Sequence, residues 1–280
     1  MKKSALQSGQ ALLIILLVMA VGLTIALSIV SRSVTDIRIS QEEEESARAF
    51  SAAEAGIEES LKLGSAATTI SLEGIDVQVT GTDRGGGPNF VFDESAVEGE
   101  TQTLWLIGHD ADGGLIESPF YTQNVLEVCW QETNPETALE VAIFYKDAAD
   151  GDYKVARGAY DSDAVSRGNN FSSPDAGNCS DLDQFERRKS LNLGDFGITP
   201  VTDTLIALRL RPLYNQTEIG VVGTGGDPGG LIPTQGKCYE STATTETGVS
   251  RKVRQCQSYP APPAIFDYVL FSGGDIETAP

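Results

Sequence analysis

"QSGQALLIILLVMAVGLTIALSIVSRS", from Gln7 to Ser33, decides how the rest of the chain is read. No side chain from Ser4 to Ser31 is charged, and Ala11 to Val30 is interrupted only by Gly22, Thr24 and Ser28. At about 1.5 Å per residue those ~20 positions make a rod of about 30 Å, the thickness of a bilayer's hydrocarbon core. A secretory signal that is removed has a shorter apolar region, about 7–15 residues, closed by a small-x-small site. The "SRSVTDIRISQEEEESARAF" that follows Val30 is not such a site. Lys2 and Lys3 precede the span, whereas Arg32 and Arg38 follow it mixed with Asp36 and a block of acids. This modest positive-inside bias predicts an N-terminus in the cytoplasm and the remainder outside.

The helix is expected to run on past the membrane surface. No proline occurs before Pro88, and between Gly9 and Gly64 the glycines are Gly22 and Gly56. Phe50, Ala53, Ile57 and Leu61 recur at three- and four-residue steps, one face of an α-helix that must pack on something. Glu44 with Arg48, and Glu58 with Lys62, stand at ion-pair spacing. Lys62 followed by Gly64 reads as a last turn and its stop. The prediction is one helix of about 54 residues, greasy all round in its first half and amphipathic in its second. Glu42 to Glu45 read as a solvated turn, or as a charge contact that sets register with a neighbouring copy.

The chain has 280 residues and a net charge of −20. A field of that sign argues against nucleic-acid binding and against docking on anionic lipid. The four cysteines, Cys129, Cys179, Cys238 and Cys256, form no CxxC pair, and one histidine accompanies them, so a zinc site is not expected. Three disulfide connectivities are open. "CYESTATTETGVSRKVRQC" reads as two arms around Thr247-Gly248, which favours Cys238–Cys256 and leaves Cys129–Cys179 by elimination.

Beyond Ser65 the period changes to two. "IDVQVT" puts Ile75, Val77 and Val79 on one face, and "TLWLIG", "VLEVCW", "LEVAIFY" and "DTLIALRLRPLY" continue as strands. Asp150-Gly151 is a hairpin turn, and Asp161 to Asn192 is a long polar loop pinned by Cys179. The fold class is therefore α+β: a long N-terminal helix, then a β-rich, mainly antiparallel globular part.

Chemistry is harder to find. His109 lacks a nucleophile elbow around any serine. Asp110 and Asp112, and likewise Asp147, Asp150 and Asp152, lack the later ligands of a calcium loop. "GTGGDPGG" is followed by "LIPTQGK" rather than a helix, so it reads as a flexible loop and not as a phosphate cradle. No cofactor and no enzymatic activity are expected.

"QSGQALLIILLVMAVGLTIALSIVSRSV" together with "ARAFSAAEAGIEESL" resembles the N-terminal region of type IV pilins, specifically the PilX-type minor pilins. The later "GVSRKVR" and "FDYVLFSGG" look like segments recurring in such proteins, less specifically. The resemblance implies a leader of residues 1–9 ending at Gly9, cut by a prepilin peptidase, with Gln10 as the methylated mature terminus. It implies a retained helix over 10–64, transmembrane at about 11–30, and an extracytoplasmic part over 65–280. Its partners would be other pilin subunits through the helix and the inner-membrane assembly machinery. Ala20, Gly22 and Ala26 would allow close helix approach, with Phe50, Ala53 and Ile57 packing further along. The localisation would be single-pass in the inner membrane, then an extracellular pilus. Two departures matter: Gln10 stands where major pilins carry phenylalanine, and Ile14 where they carry glutamate. A terminal ammonium without that carboxylate is costly inside an apolar core, which favours a minor, tip-proximal subunit. The alternative is a bitopic, membrane-anchored binding protein that never joins a filament.

Overall fold

The computed structural model describes residues 8–66, 69–72, 74–110, 113–118, 120–225 and 228–265. It is α+β: one long N-terminal helix followed by antiparallel β-structure. The chain forms two compact units, one of residues 1–81 and 239–255, the other of residues 82–238 and 256–280. It therefore passes between them three times, which the change of period at Ser65 does not reveal.

In the first unit, helix α1 (Ser8–Leu63) runs for 56 residues, about 84 Å at the usual rise. Gly64 follows it with φ +64°, the left-handed stop that glycine adopts without strain. Strands β1 (Ile70–Leu72) and β2 (Ile75–Gly85) pair antiparallel, with Ser71 opposite Asp76. Strands β13 (Thr234–Thr244) and β14 (Ser250–Ser258) complete a sheet of order β1-β2-β13-β14. Ile75, Val77 and Val79 alternate inward with Tyr239 and Ala243, and this face takes up Ala52, Ala53 and Ile57 of α1. The turn from β13 to β14 places Gly248 at φ +87°, closed by Thr245 N–H donating to Val249 C=O at 3.0 Å.

The second unit holds two four-stranded antiparallel sheets. One has the order β10-β7-β12-β3, from β3 (Asn89–Val91), β7 (Val125–Trp130), β10 (Arg187–Asn192) and β12 (Ile219–Gly223). The other has the order β4-β11-β8-β9, from β4 (Gln102–Trp105), β8 (Ala138–Lys146), β9 (Tyr153–Tyr160) and β11 (Thr204–Leu213). Short strands β5 (Gly108–His109) and β6 (Leu115–Ile116) pair separately. Leu126, Val128 and Trp130 of β7 meet Leu139, Val141 and Ile143 of β8 and Leu208 and Leu210 of β11 in one core. At roughly 1.5–3 kcal/mol for each fully buried large side chain, this core dominates the unit's stability.

The segment Asp161 to Asn192 differs from the plain loop its polarity predicts. It contains a one-turn helix, α2 (Ala164–Arg167), and ends as β10, whose charged "RRKSLN" looks unlike a strand. Ion pairs explain β10: Arg187 meets Glu136 at 2.6 Å and Lys189 meets Asp175 at 2.7 Å. Buried Asp161 anchors the start of the segment by accepting from Arg167 at 2.8 Å and Asn169 at 2.6 Å. Leu182 and Phe185 then seal it around the Cys129–Cys179 disulfide.

Candidate functional site on the N-terminal helix

The apolar half of α1 is open to its surroundings. From Leu12 to Val30 every side chain is exposed, Ala20, Gly22 and Ala26 included, and nothing lies within 4 Å of a Cβ placed at Gly22. Of the hydroxyls that interrupt it, Thr24 returns to the helix itself and donates to Val21 C=O at 2.8 Å; past the span, Thr35 donates to Ser31 C=O at 3.0 Å. A greasy rod whose backbone is satisfied within the helix suits lipid or other apolar helices, and α1 is a candidate single membrane span. The backbone at Gly9 and Gln10 is helical, while their side chains, and residues 1–7 with Lys2 and Lys3, lie outside the described residues.

The second half behaves differently. Ala49, Ala52, Ala53, Gly56, Ile57 and Ser60 are buried along one stripe. Phe50 does not join it and is 46 % exposed. Counting only large apolar residues hides this stripe, because its members are mostly small. Their recurrence at three- and four-residue steps was the available signal, and small side chains let the helix backbone come close to the sheet. Arg48 also departs from the expected pairing. It meets Glu45 at 3.4 Å rather than Glu44, a three-residue step that keeps both groups on one turn. Glu45 further accepts from Thr247 Oγ1 at 3.2 Å, and Arg251 Nε donates to Ser46 Oγ at 2.8 Å, so the β13–β14 turn braces the helix.

The cysteines are joined as Cys238–Cys256 and Cys129–Cys179. Glu127, Cys129 and Cys179 lie within 4.8 Å of one another like a ligand set. The two sulfurs are spent on each other, and Glu127 instead accepts from Ser180 N–H at 2.6 Å and meets Arg188 at 3.4 Å.

The other candidates make the following contacts. His109 stacks on Tyr259 at 3.9 Å and meets Trp105 edge-on at 5.0 Å; burial lowers its pKa, against the opposing pull of the Ile107 backbone and Asp110. Asp112 lies outside the described residues, and Asp110 closes its own turn by accepting from Gly114 N–H at 2.7 Å. Asp147 and Asp150 both hold the ammonium of Lys154 at 2.6 Å. Those bonds depress both carboxyls and raise Lys154. Within "GTGGDPGG", Gly223 and Gly229 serve close packing, since a Cβ on Gly223 would strike Gly230 C=O and one on Gly229 would strike Thr122 Oγ1.

A cleft of ≈ 630 Å³ opens beside β4. Its Arg84 is already engaged by Asp93 at 2.9 Å, by Ser258 at 2.7 Å and by the Phe90 ring at 4.8 Å. The segment Phe266 to Gly274 lies outside the described residues. No protein-family model, no curated protein and no solved structure matches this chain.

Proposed function

We propose that this chain is a minor subunit of a type IV pilus or related filament. It is cut after Gly9 by a prepilin peptidase, methylated at Gln10, and assembled through α1. The observation that carries the reading is the split character of that helix. Its first half is wholly exposed and apolar, while its second half is sealed by small residues onto its own sheet. A simple membrane anchor needs only the first half. A subunit that leaves the bilayer for a bundle of sister helices needs a rod held firmly by its globular part.

In this reading the N-terminus faces the cytoplasm before assembly and the β-structure faces outward. Both disulfides suit an oxidising space. The absence of a carboxylate at Ile14 fits a subunit with no neighbour ahead of it, and so a role in priming, adhesion or display rather than in the shaft. Mass spectrometry of the chain from sheared surface fibres tests this. N-methylated Gln10 is the expected terminus, and Gly9→Leu is expected to block maturation. A chain that retains Lys2 and Lys3 and stays in the membrane refutes it and leaves the bitopic binding protein.

A further inference from the structure

The braced half of α1 carries two unpartnered features at one height. One is the Phe50 ring, 46 % exposed. The other is a shallow groove of ≈ 500 Å³ lined by Ala47, Ser51 and Ala52 of the helix and by Leu72 and Ile75. At about 100° per residue, Ala47, Ser51, Arg48 and Ala52 stand about 60°, 100°, 160° and 200° around the axis from Phe50, which centres the groove about 130° from the ring. Knob and groove are therefore set apart around one rod. A head-to-tail contact between them leaves a free knob and a free groove after each addition and so propagates.

We propose that Phe50 of one copy of this chain seats in the Ala47–Ala52 groove of the next. This rests on the filament reading and names a contact within it. The small helix residues leave room for the ring, and Leu72 and Ile75 of the β1–β2 hairpin give it an apolar wall. Charge agrees with the pairing. Glu54, four residues from Phe50, shares its flank. Arg48 stands at the groove's rim with 44 % of its side chain exposed, and its 3.4 Å contact with Glu45 is a long one. Glu44 on the same rim repels acids, so the favoured register sets Glu54 of one copy beside Arg48 of the other. One ring in one groove buries far less than the ~1,000 Å² of a self-sufficient interface. It fixes rotation and rise, while the apolar halves supply association.

Native cysteines do not interfere with a cross-linking test, because the disulfides occupy all of them. Two differently tagged full-length chains that keep Phe50, one with Glu54→Cys and one with Ser51→Cys, are expressed together and oxidised mildly in their membranes. Both positions are exposed, so neither change removes a core contact. The mixed 51–54 product is expected to exceed the 51–51 and 54–54 products by at least about tenfold. A predominant 54–54 product, cross-linking to a different protein alone, or no product would overturn the contact. The mature terminus is read on the same samples. Chains cut after Gly9 that give no mixed product refute this contact and spare the filament reading. Uncut chains that give it refute the filament reading and spare the contact.

Discussion

Replacing Gly56 by alanine is a sharp test of how α1 is held. In an exposed helix interior this change stabilises by about 1 kcal/mol, because alanine loses less backbone freedom. At Gly56 the new Cβ would lie 2.6 Å from Ser241 Oγ, 2.8 Å from Val77 Cγ1 and 3.1 Å from Val79 Cγ2. Carbon atoms in good contact sit about 3.5–4.0 Å apart, and forcing a methyl into a packed core costs roughly 1–3 kcal/mol. The strand side chains are β-branched and cannot swing aside cheaply. The steric cost wins, and the net destabilisation is expected to be about 1 kcal/mol. Ser241 sharpens the test: its hydroxyl is buried and has no hydrogen-bond partner among the described residues. Ser241→Ala alone is expected to stabilise by about 1 kcal/mol, since an unsatisfied buried hydroxyl costs about that much or more. The double variant also removes the closest clash, so it should be at least about 0.5 kcal/mol more stable than the two single effects added together. Amide hydrogen exchange at Val77 and Val79 reads the opening of this unit by itself. Slower exchange in Gly56→Ala, or strict additivity in the double variant, would refute the close-approach argument.

Three further outcomes follow from the β-structure. Loss of the Cys129–Cys179 bridge, which spans 50 residues, is expected to cost about 4 kcal/mol, against about 3 for Cys238–Cys256, which spans 18; denaturant unfolding of the paired alanine variants should show that order. Asp147 and Asp150 should titrate below the ordinary carboxylate range, because Lys154 binds their charged forms. They therefore support the fold above their unfolded pKa, and that support disappears as pH falls through their lowered values. Lys154→Met should move both NMR titrations upward, and unchanged titrations would refute the bridging ammonium. His109, lowered by burial, favours the fold above its unfolded pKa of about 6.5 and loses that contribution as pH falls toward its lowered value. His109→Phe should flatten the pH dependence of stability in that window.

The pattern of residues by itself determined the parts of this protein whose cause is local. Twenty apolar positions without a charge make a rod wherever they are put, because the helix satisfies its own backbone. The alternation of Ile75, Val77 and Val79 and the turn at Thr247-Gly248 fix strand and hairpin through neighbouring residues alone, and the hairpin in turn places Cys238 opposite Cys256. Tertiary structure decided what depends on distant partners. "RRKSLN" becomes β10 because Glu136 and Asp175 neutralise its cations. Gly223, Gly229 and Gly230 are packing residues because their loop closes tightly on itself and on Thr122. On α1, the exclusion of Phe50 from the buried stripe follows from the sheet, which admits a helix only where Ala49, Ala52, Ala53 and Gly56 let the backbones approach. Period is written along the chain, but steric fit belongs to two surfaces, and only one of them is local.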